Sequence, residues 1–217
     1  SGSADLERVK QALAAAFATL PREEVRVIST AAPHVCRESV QYVEDVLDVT
    51  QGKLGMGFSC GSDDMPALLM GNTLFGGSSN SKLFLNVREK LSLCYYASSL
   101  YHRQKGLITV SSGIEFQNYQ RAYDEIMAQL EAVQKGELED WELEGARSTL
   151  LNSYATVGDS QGKLENFYLG QAATGQHETP ADLARAIQDM TAERICRAMS
   201  TVKLDTVYFL KGKEAEA

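Results

Sequence analysis

Four short segments of alternating apolar residues limit what this chain can fold into. They lie at 53–60, 94–101, 106–113 and 202–210, and each predicts a strand with one buried face. The second and third segments are separated by a short polar stretch that contains His102, which predicts a hairpin. Longer segments with helical periodicity lie between the third and the fourth. This order predicts an α+β fold, in which a mainly antiparallel sheet has helices packed on one face.

The predicted helices have recognisable beginnings and ends. Asp63 or Asp64 can cap a helix that carries Pro66 in its first turn, and Gly76 with Gly77 ends that helix. A short helix follows directly, and its predicted inward residues are Leu83, Phe84 and Val87. Further helices are predicted after residue 116, over 138–157 and 163–174, and from Pro180 and Thr191.

The first fifty residues differ in pattern from the rest. Residues 4–19 predict an amphipathic helix, whereas 21–50 show no clean period and predict an extended linker with one or two short strands. A boundary therefore divides the chain into 1–49 and 50–217. The length of 217 residues suits one large domain with an addition, and we expect the first helix to pack on the larger part.

Composition excludes several classes of function. The net charge of −8 argues against a nucleic-acid partner, and no apolar run approaches the roughly 18 residues that a membrane span needs. The first residues do not have the pattern of a signal peptide. No two of the four cysteines are close in sequence, so we predict reduced thiols and a cytoplasmic protein.

The histidines do not form a zinc motif. The chain has only His34, His102 and His177, and no two of them are spaced for one helical face. His177-Glu178 begins like H-E-x-x-H, but residue 181 is alanine. We interpret all three as loop histidines, and we predict that the isolated chain binds no zinc and cleaves no peptide.

One short cluster contains residues suited to binding a peptide. Arg88 is predicted near the end of a helix and Tyr95 at the start of a strand, so a cation and a phenol converge across a tight turn. Such a pair can hold a substrate carbonyl or an oxyanion. The alternative is a surface ion pair of Arg88 with Glu89 beside a half-buried tyrosine. Cys94, between them, is interpreted as a core residue.

The stretch GNTLFGGSSNSKLFLNVREKLSLCYYASS, with the later KGLITVSSGI, resembles the pitrilysin/insulinase family of zinc metallopeptidases, which includes the mitochondrial processing peptidases. The resemblance is to the second of that family's homologous repeats and extends from about residue 50 to 211. Residues 1–17 resemble the end of the preceding repeat. Within the family, the sequence REKLSLCYYASS most resembles a bacterial branch whose members lack their own zinc motif and are paired with an active paralogue. Ser92 stands where the family usually has glycine.

The resemblance implies that two halves enclose a chamber and that each half has its own role. One half supplies zinc through H-x-x-E-H, and the other supplies an arginine and a tyrosine that bind the scissile peptide. By resemblance, these substrate-binding roles fall on Arg88 and Tyr95, with no catalytic residue and no metal ligand in this chain. The zinc is expected in a catalytic paralogue or in a missing N-terminal half. The alternatives are a purely structural domain of the family and the second half of a chain that is itself active.

The strand that begins at Tyr95 is expected to turn that residue toward the chamber. Strict alternation places Tyr95, Ala97, Ser99 and Tyr101 on one face, and we assign this face to the chamber. The other face is assigned to the helices, because its members include the better core residues: Cys94, Tyr96, Ser98 and Leu100.

Overall fold

The computed structural model describes residues 2–21 and 37–213. His34, Cys36 and the part of the predicted linker at 22–36 lie outside the described residues. The strands are β1 (Gln41–Leu47), β2 (Gly52–Cys60), β3 (Cys94–His102), β4 (Leu107–Ile114) and β5 (Val202–Gly212). The helices are α1 (Leu6–Ala18), α2 (Met65–Phe75), a π-helix (Leu83–Lys90), α3 (Tyr119–Lys135), α4 (Asp140–Ala155), α5 (Gln161–Thr174), α6 (Pro180–Gln188) and α7 (Ala192–Met199).

The strands form one sheet in the order β1-β5-β2-β4-β3. β2 pairs antiparallel with both β5 and β4, and β3 and β4 form the predicted antiparallel hairpin. Among the strand pairs that the structure describes, β1 and β5 alone run parallel. The prediction of an α+β fold with a mainly antiparallel sheet is therefore confirmed.

One face of the sheet is covered by helices and the other is open. In β4, Ile108 and Val110 are buried, whereas Thr109 and Ser111 between and beside them are exposed. The buried face packs on α2, where the rings of Phe58 and Phe75 meet edge to face with their centroids 6.2 Å apart. A single core therefore lies between the sheet and the helices.

The helix boundaries follow from local chemistry. The carboxylate of Asp64 accepts a hydrogen bond from the backbone N–H of Ala67 at 3.2 Å, and Pro66 lies in the first turn of α2, as predicted. α3 ends at Gly136, whose φ of +77° lies in the left-handed region. Capping residues therefore mark the start of α2 and the end of α3.

Two details near the start of the chain differ from expectation. No residue of α1 is buried, so the prediction that this helix packs on the larger part of the chain is wrong. The apolar residues of α1 have the spacing of an amphipathic helix. That spacing does not by itself provide a second surface against which the helix can pack. β1 arises from the predicted linker and joins the sheet beside β5, with all seven of its residues exposed. The division at 1–49 and 50–217 stays a prediction.

Candidate functional site

Arg88 lies in the last turn of the π-helix. The wider turn is evident from the backbone N–H of Leu91, which donates to the carbonyl of Asn86, five residues earlier, at 3.1 Å. Leu83 and Val87 anchor the helix in the core, because both are fully buried. π-helical turns are uncommon and are frequent at functional sites. Here the turn directs Arg88 away from the core, toward the start of β3.

Ser92 makes the tight turn between the π-helix and β3. Its φ of +49° lies in the left-handed region, which glycine adopts at least cost. The N–H of Ser92 donates to the carbonyl of Arg88, and the N–H of Leu93 donates to that of Val87, both at 3.1 Å. The turn therefore keeps the conformation that a glycine would take, although the residue is serine.

The guanidinium of Arg88 is held by three contacts. Its Nε donates to the carbonyl oxygen of Tyr95 at 3.0 Å, and its Nη1 lies 3.3 Å from the carboxylate of Glu89. The ring of Phe84 stacks beneath it, with the centroid 4.7 Å from Cζ. About 40% of the Arg88 side chain remains exposed. The arginine is thus oriented but still open to a ligand.

A β-bulge at the start of β3 determines where Tyr95 points. Cys94 pairs with Ile114 and Tyr96 pairs with Gly113, so Tyr95 is an additional residue with no partner on β4. Its side chain is 60% exposed. The bulge leaves Tyr95 free of the sheet's alternation and beside Arg88.

Because of the same bulge, the predicted assignment of β3 side chains to the two faces of the sheet is wrong. Beyond it, Ala97, Ser99 and Tyr101 are buried under the helices, while Ser98 and Leu100 are exposed. The face assignment is therefore wrong for every residue after Tyr95. One extra residue shifts the alternation by one position, which moves each side chain to the opposite face. Cys94, before the bulge, packs against the core as predicted.

Arg88 and Tyr95 line one cavity of about 410 Å³. The sequence did not indicate two further polar residues of this cavity, Glu115 and Asn118, which follow β4. The hairpin could have indicated them, because antiparallel pairing brings the end of β4 beside the start of β3. The remaining lining residues are Glu89, Ser92, Leu93 and Cys94.

The thiol in this cavity is not an activated nucleophile. Burial raises the pKa of Cys94, and this effect exceeds the lowering by the nearby hydroxyl of Ser112 and by the charge of Arg88. The thiolate is the reactive form of cysteine, so the neutral thiol of Cys94 is inert. The chemistry that the cavity offers is hydrogen bonding by Arg88 and Tyr95.

The histidines take no part in a metal cluster within the described residues. His102 exchanges a hydrogen bond with Thr109 at 3.0 Å, and His177 is exposed in the loop between α5 and α6. In residues 2–21 and 37–213, no group of three His, Cys, Asp or Glu side chains could hold a metal ion. In the same ranges, no helix is both long and apolar enough to cross a membrane.

Solved structures with this fold define the class of protein. The chain superposes on a conserved protein from Enterococcus faecalis V583 with a TM-score of 0.82 and 28% identity, covering 96% of this chain and 51% of that one. It superposes on a peptidase M16 inactive domain from Pseudomonas fluorescens with a TM-score of 0.79 and 16% identity, covering 100% and 53%. The fold is therefore that of an M16 inactive domain.

Sequence comparison identifies the family itself. The pattern of the family described as "Peptidase M16 inactive domain" matches residues 1–150, and the chain belongs to this family. It is 38% identical over 220 aligned positions to the "Probable inactive metalloprotease YmfF" of Bacillus subtilis, covering 98% of this chain and 50% of that protein. The chain therefore spans half the length of this relative. The predicted membership of the zinc metallopeptidase family is confirmed, and the chain is a non-catalytic domain of a zinc-protease-like protein.

Proposed function

We propose that this chain is the substrate-binding, non-catalytic half of a two-part zinc peptidase. In this proposal, the Arg88 guanidinium and the Tyr95 phenol donate hydrogen bonds to the carbonyl oxygen of the peptide bond that is cleaved. The observation that carries the proposal is the position of both side chains on one open cavity, on either side of a turn that holds them there.

The geometry suits the stabilisation of developing negative charge. Arg88 uses Nε to hold the carbonyl of Tyr95, so the guanidinium is positioned before a substrate arrives. Preorganised donors of this kind lower the barrier because they need no reorganisation during the reaction. Phe84 beneath the guanidinium restricts its motion further.

The zinc in this proposal belongs to another part of the enzyme. It comes either from a catalytic paralogue that carries its own zinc motif or from a further part of the same polypeptide. The Bacillus relative is named a probable inactive metalloprotease, which favours the paralogue as the source. A purely structural role is the second candidate, and the exposed apolar helix α1 favours it, because such a surface suits assembly.

The test is a peptidase assay of this chain mixed with the family member from the same organism that carries H-x-x-E-H. Arg88→Ala and Tyr95→Phe are each expected to reduce kcat/KM by about 100-fold or more, the scale for losing one transition-state donor. Tyr96→Phe is the matched control, because it removes a neighbouring exposed hydroxyl that faces Ser111 instead of the cavity.

Folding is monitored alongside activity. Tyr95 is 60% exposed and the Arg88 side chain 40%, so Arg88→Ala and Tyr95→Ala are expected to change the free energy of unfolding by no more than about 1 kcal/mol. Full activity of the Arg88→Ala/Tyr95→Phe double variant in the mixture would leave only the structural role. Stoichiometric zinc binding and peptidase activity in the chain alone would contradict the proposal that this half is non-catalytic.

A further inference from the structure

A second cavity lies at the far end of β3 from Arg88. Its volume is about 370 Å³, within the range of sites for small molecules. It is enclosed by the end of β2, the turn between β3 and β4, and the end of α5. Its apolar lining residues are Cys60, Met65 and Tyr101. Its polar lining residues include Asp63, Arg103 and Gln176.

An incomplete ion pair stands beside this cavity. Nη2 of Arg103 lies 3.6 Å from Oε2 of Glu178, beyond hydrogen-bond distance, and the side chains are 22% and 39% exposed. Both atoms are shielded from solvent, and neither has a hydrogen-bond partner in the part of the chain that the structure describes. Buried charged groups are normally hydrogen-bonded, because an unmade bond to a charge is costly. Nη2 of Arg103 and Oε2 of Glu178 therefore each lack a hydrogen-bond partner among the described residues.

Other polar groups around the cavity also lack strong hydrogen-bond partners. Nε2 of Gln176 donates to the sulfur of Met65 at 3.4 Å, and a thioether is a weak acceptor. Burial raises the pKa of Tyr101 to about 12, so its phenol is neutral and can donate. Arg103 and Asp63 line the same cavity as this phenol, so a cation and a carboxylate lie around the same space.

We propose that this cavity binds a zwitterionic apolar amino acid or a short apolar peptide. Arg103 binds the carboxylate, Asp63 binds the ammonium group, and Cys60, Met65 and Tyr101 contact the side chain. A simple anion would lie beside the carboxylate of Asp63, and a simple amine would lie beside the guanidinium of Arg103. Only a ligand that carries both a negative and a positive charge complements both side chains. The inference is independent of the proposed function, because the two cavities share no lining residue.

The first test uses the 217-residue chain with leucine and leucylleucine as probes. Binding is followed by NMR chemical shifts of the residues around the cavity. Leucinamide lacks the carboxylate and N-acetylleucine lacks the ammonium group, so each is expected to bind at least about 10-fold more weakly than leucine, the scale of one hydrogen bond to a charged group. Equal binding of all three, or no shift with leucine and leucylleucine at tens of millimolar, would overturn the proposal.

Variants locate the binding site. Arg103→Gln is expected to weaken leucine binding by about 10-fold or more. Arg185→Gln is the matched control, because Arg185 is an exposed arginine of α6 that also pairs with an acid. Asp63 is exposed, so Asp63→Asn keeps the test decisive even if Arg103→Gln does not fold. Unchanged leucine affinity in Asp63→Asn, or in a folded Arg103→Gln, would place the ligand elsewhere and refute the assignment.

Discussion

Lys82 and Glu142 form a buried ion pair, with the ammonium nitrogen 3.0 Å and 3.1 Å from the two carboxylate oxygens. The two side chains are only 9% and 7% exposed. Glu142 also accepts the backbone N–H of Glu139 at 2.9 Å and so caps α4. The pair ties the residue before the π-helix to the first turn of α4, and thereby holds the element that carries Arg88.

Removing one partner of this pair is expected to destabilise the chain strongly. Glu142→Gln leaves the ammonium group of Lys82 buried without a counter-charge, and we expect a loss of about 3 kcal/mol in the free energy of unfolding. Lys82→Met/Glu142→Gln is expected to regain most of this loss, because no buried charge then remains and the glutamine still caps α4. Urea unfolding measures both. A double variant less stable than Glu142→Gln would contradict this account.

Arg147 joins α4 to the end of α6. Its Nη1 donates to the carbonyls of Ile187 and Gln188, both at 2.7 Å, and its Nη2 donates to that of Met190 at 3.0 Å. Helix ends leave such carbonyls without partners, so the arginine replaces a cap. Arg147→Ala is expected to lower the free energy of unfolding by about 2 kcal/mol.

Two comparisons separate this role from a general effect of charge. Arg147→Lys is expected to recover only part of the loss, because an ammonium group cannot reach three carbonyls with the planar geometry of a guanidinium. Arg185→Ala, at an exposed site on α6, is expected to change stability by less than about 0.5 kcal/mol. Equal stability of the wild type and Arg147→Lys would show that charge alone matters.

Ser92 is a site where glycine is expected to stabilise the chain. Its φ of +49° strains a residue with a side chain, so Ser92→Gly is expected to raise the free energy of unfolding by up to about 1 kcal/mol. Ser200 ends α7 with an ordinary φ of −62°, and Ser200→Gly is expected to destabilise instead. Thermal unfolding of the two variants gives the sign at each site, and a lower Tm for Ser92→Gly would contradict the strain.

Stability is expected to fall in acid through Asp64. Its carboxylate makes hydrogen bonds of 2.6 and 3.0 Å with Arg194, and these bonds lower its pKa, aided by the N–H of Ala67. A carboxyl whose pKa is lower in the folded state contributes stability that is complete above its unfolded pKa of about 3.9 and is lost as the pH falls through the folded value.

The corresponding experiment compares the wild type with Asp64→Asn between pH 7 and pH 2 by urea unfolding. The difference in stability is expected to be constant from pH 7 to about pH 5 and to shrink below about pH 4. Arg194→Gln is expected to reduce this pH dependence without removing it, since the N–H of Ala67 still contacts the carboxylate. A difference that grows in acid would have the wrong sign for this carboxylate.

Only part of the candidate site could be predicted from the sequence. The residue types and the spacing of Arg88 and Tyr95 placed a cation and a phenol on either side of a turn, and the resemblance gave them a role that stays a prediction. Glu115 and Asn118 join them only because β4 pairs with β3. The ion pair of Lys82 with Glu142 spans sixty residues of sequence, and no local pattern indicates it.

The sequence by itself determined the elements whose causes are local. Alternation placed β2, β3, β4 and β5, a carboxylate cap with Pro66 placed the start of α2, and Gly136 placed the end of α3. These features depend on neighbouring residues and on the backbone freedom of glycine. The tertiary structure decided the rest. The parallel pairing of β1 with β5 is long-range, and the bulge at Tyr95 arises where Cys94 and Tyr96 take consecutive partners on β4. That register turns Tyr95 outward and reverses every face after it, because alternation along a strand is fixed only once its pairing is known.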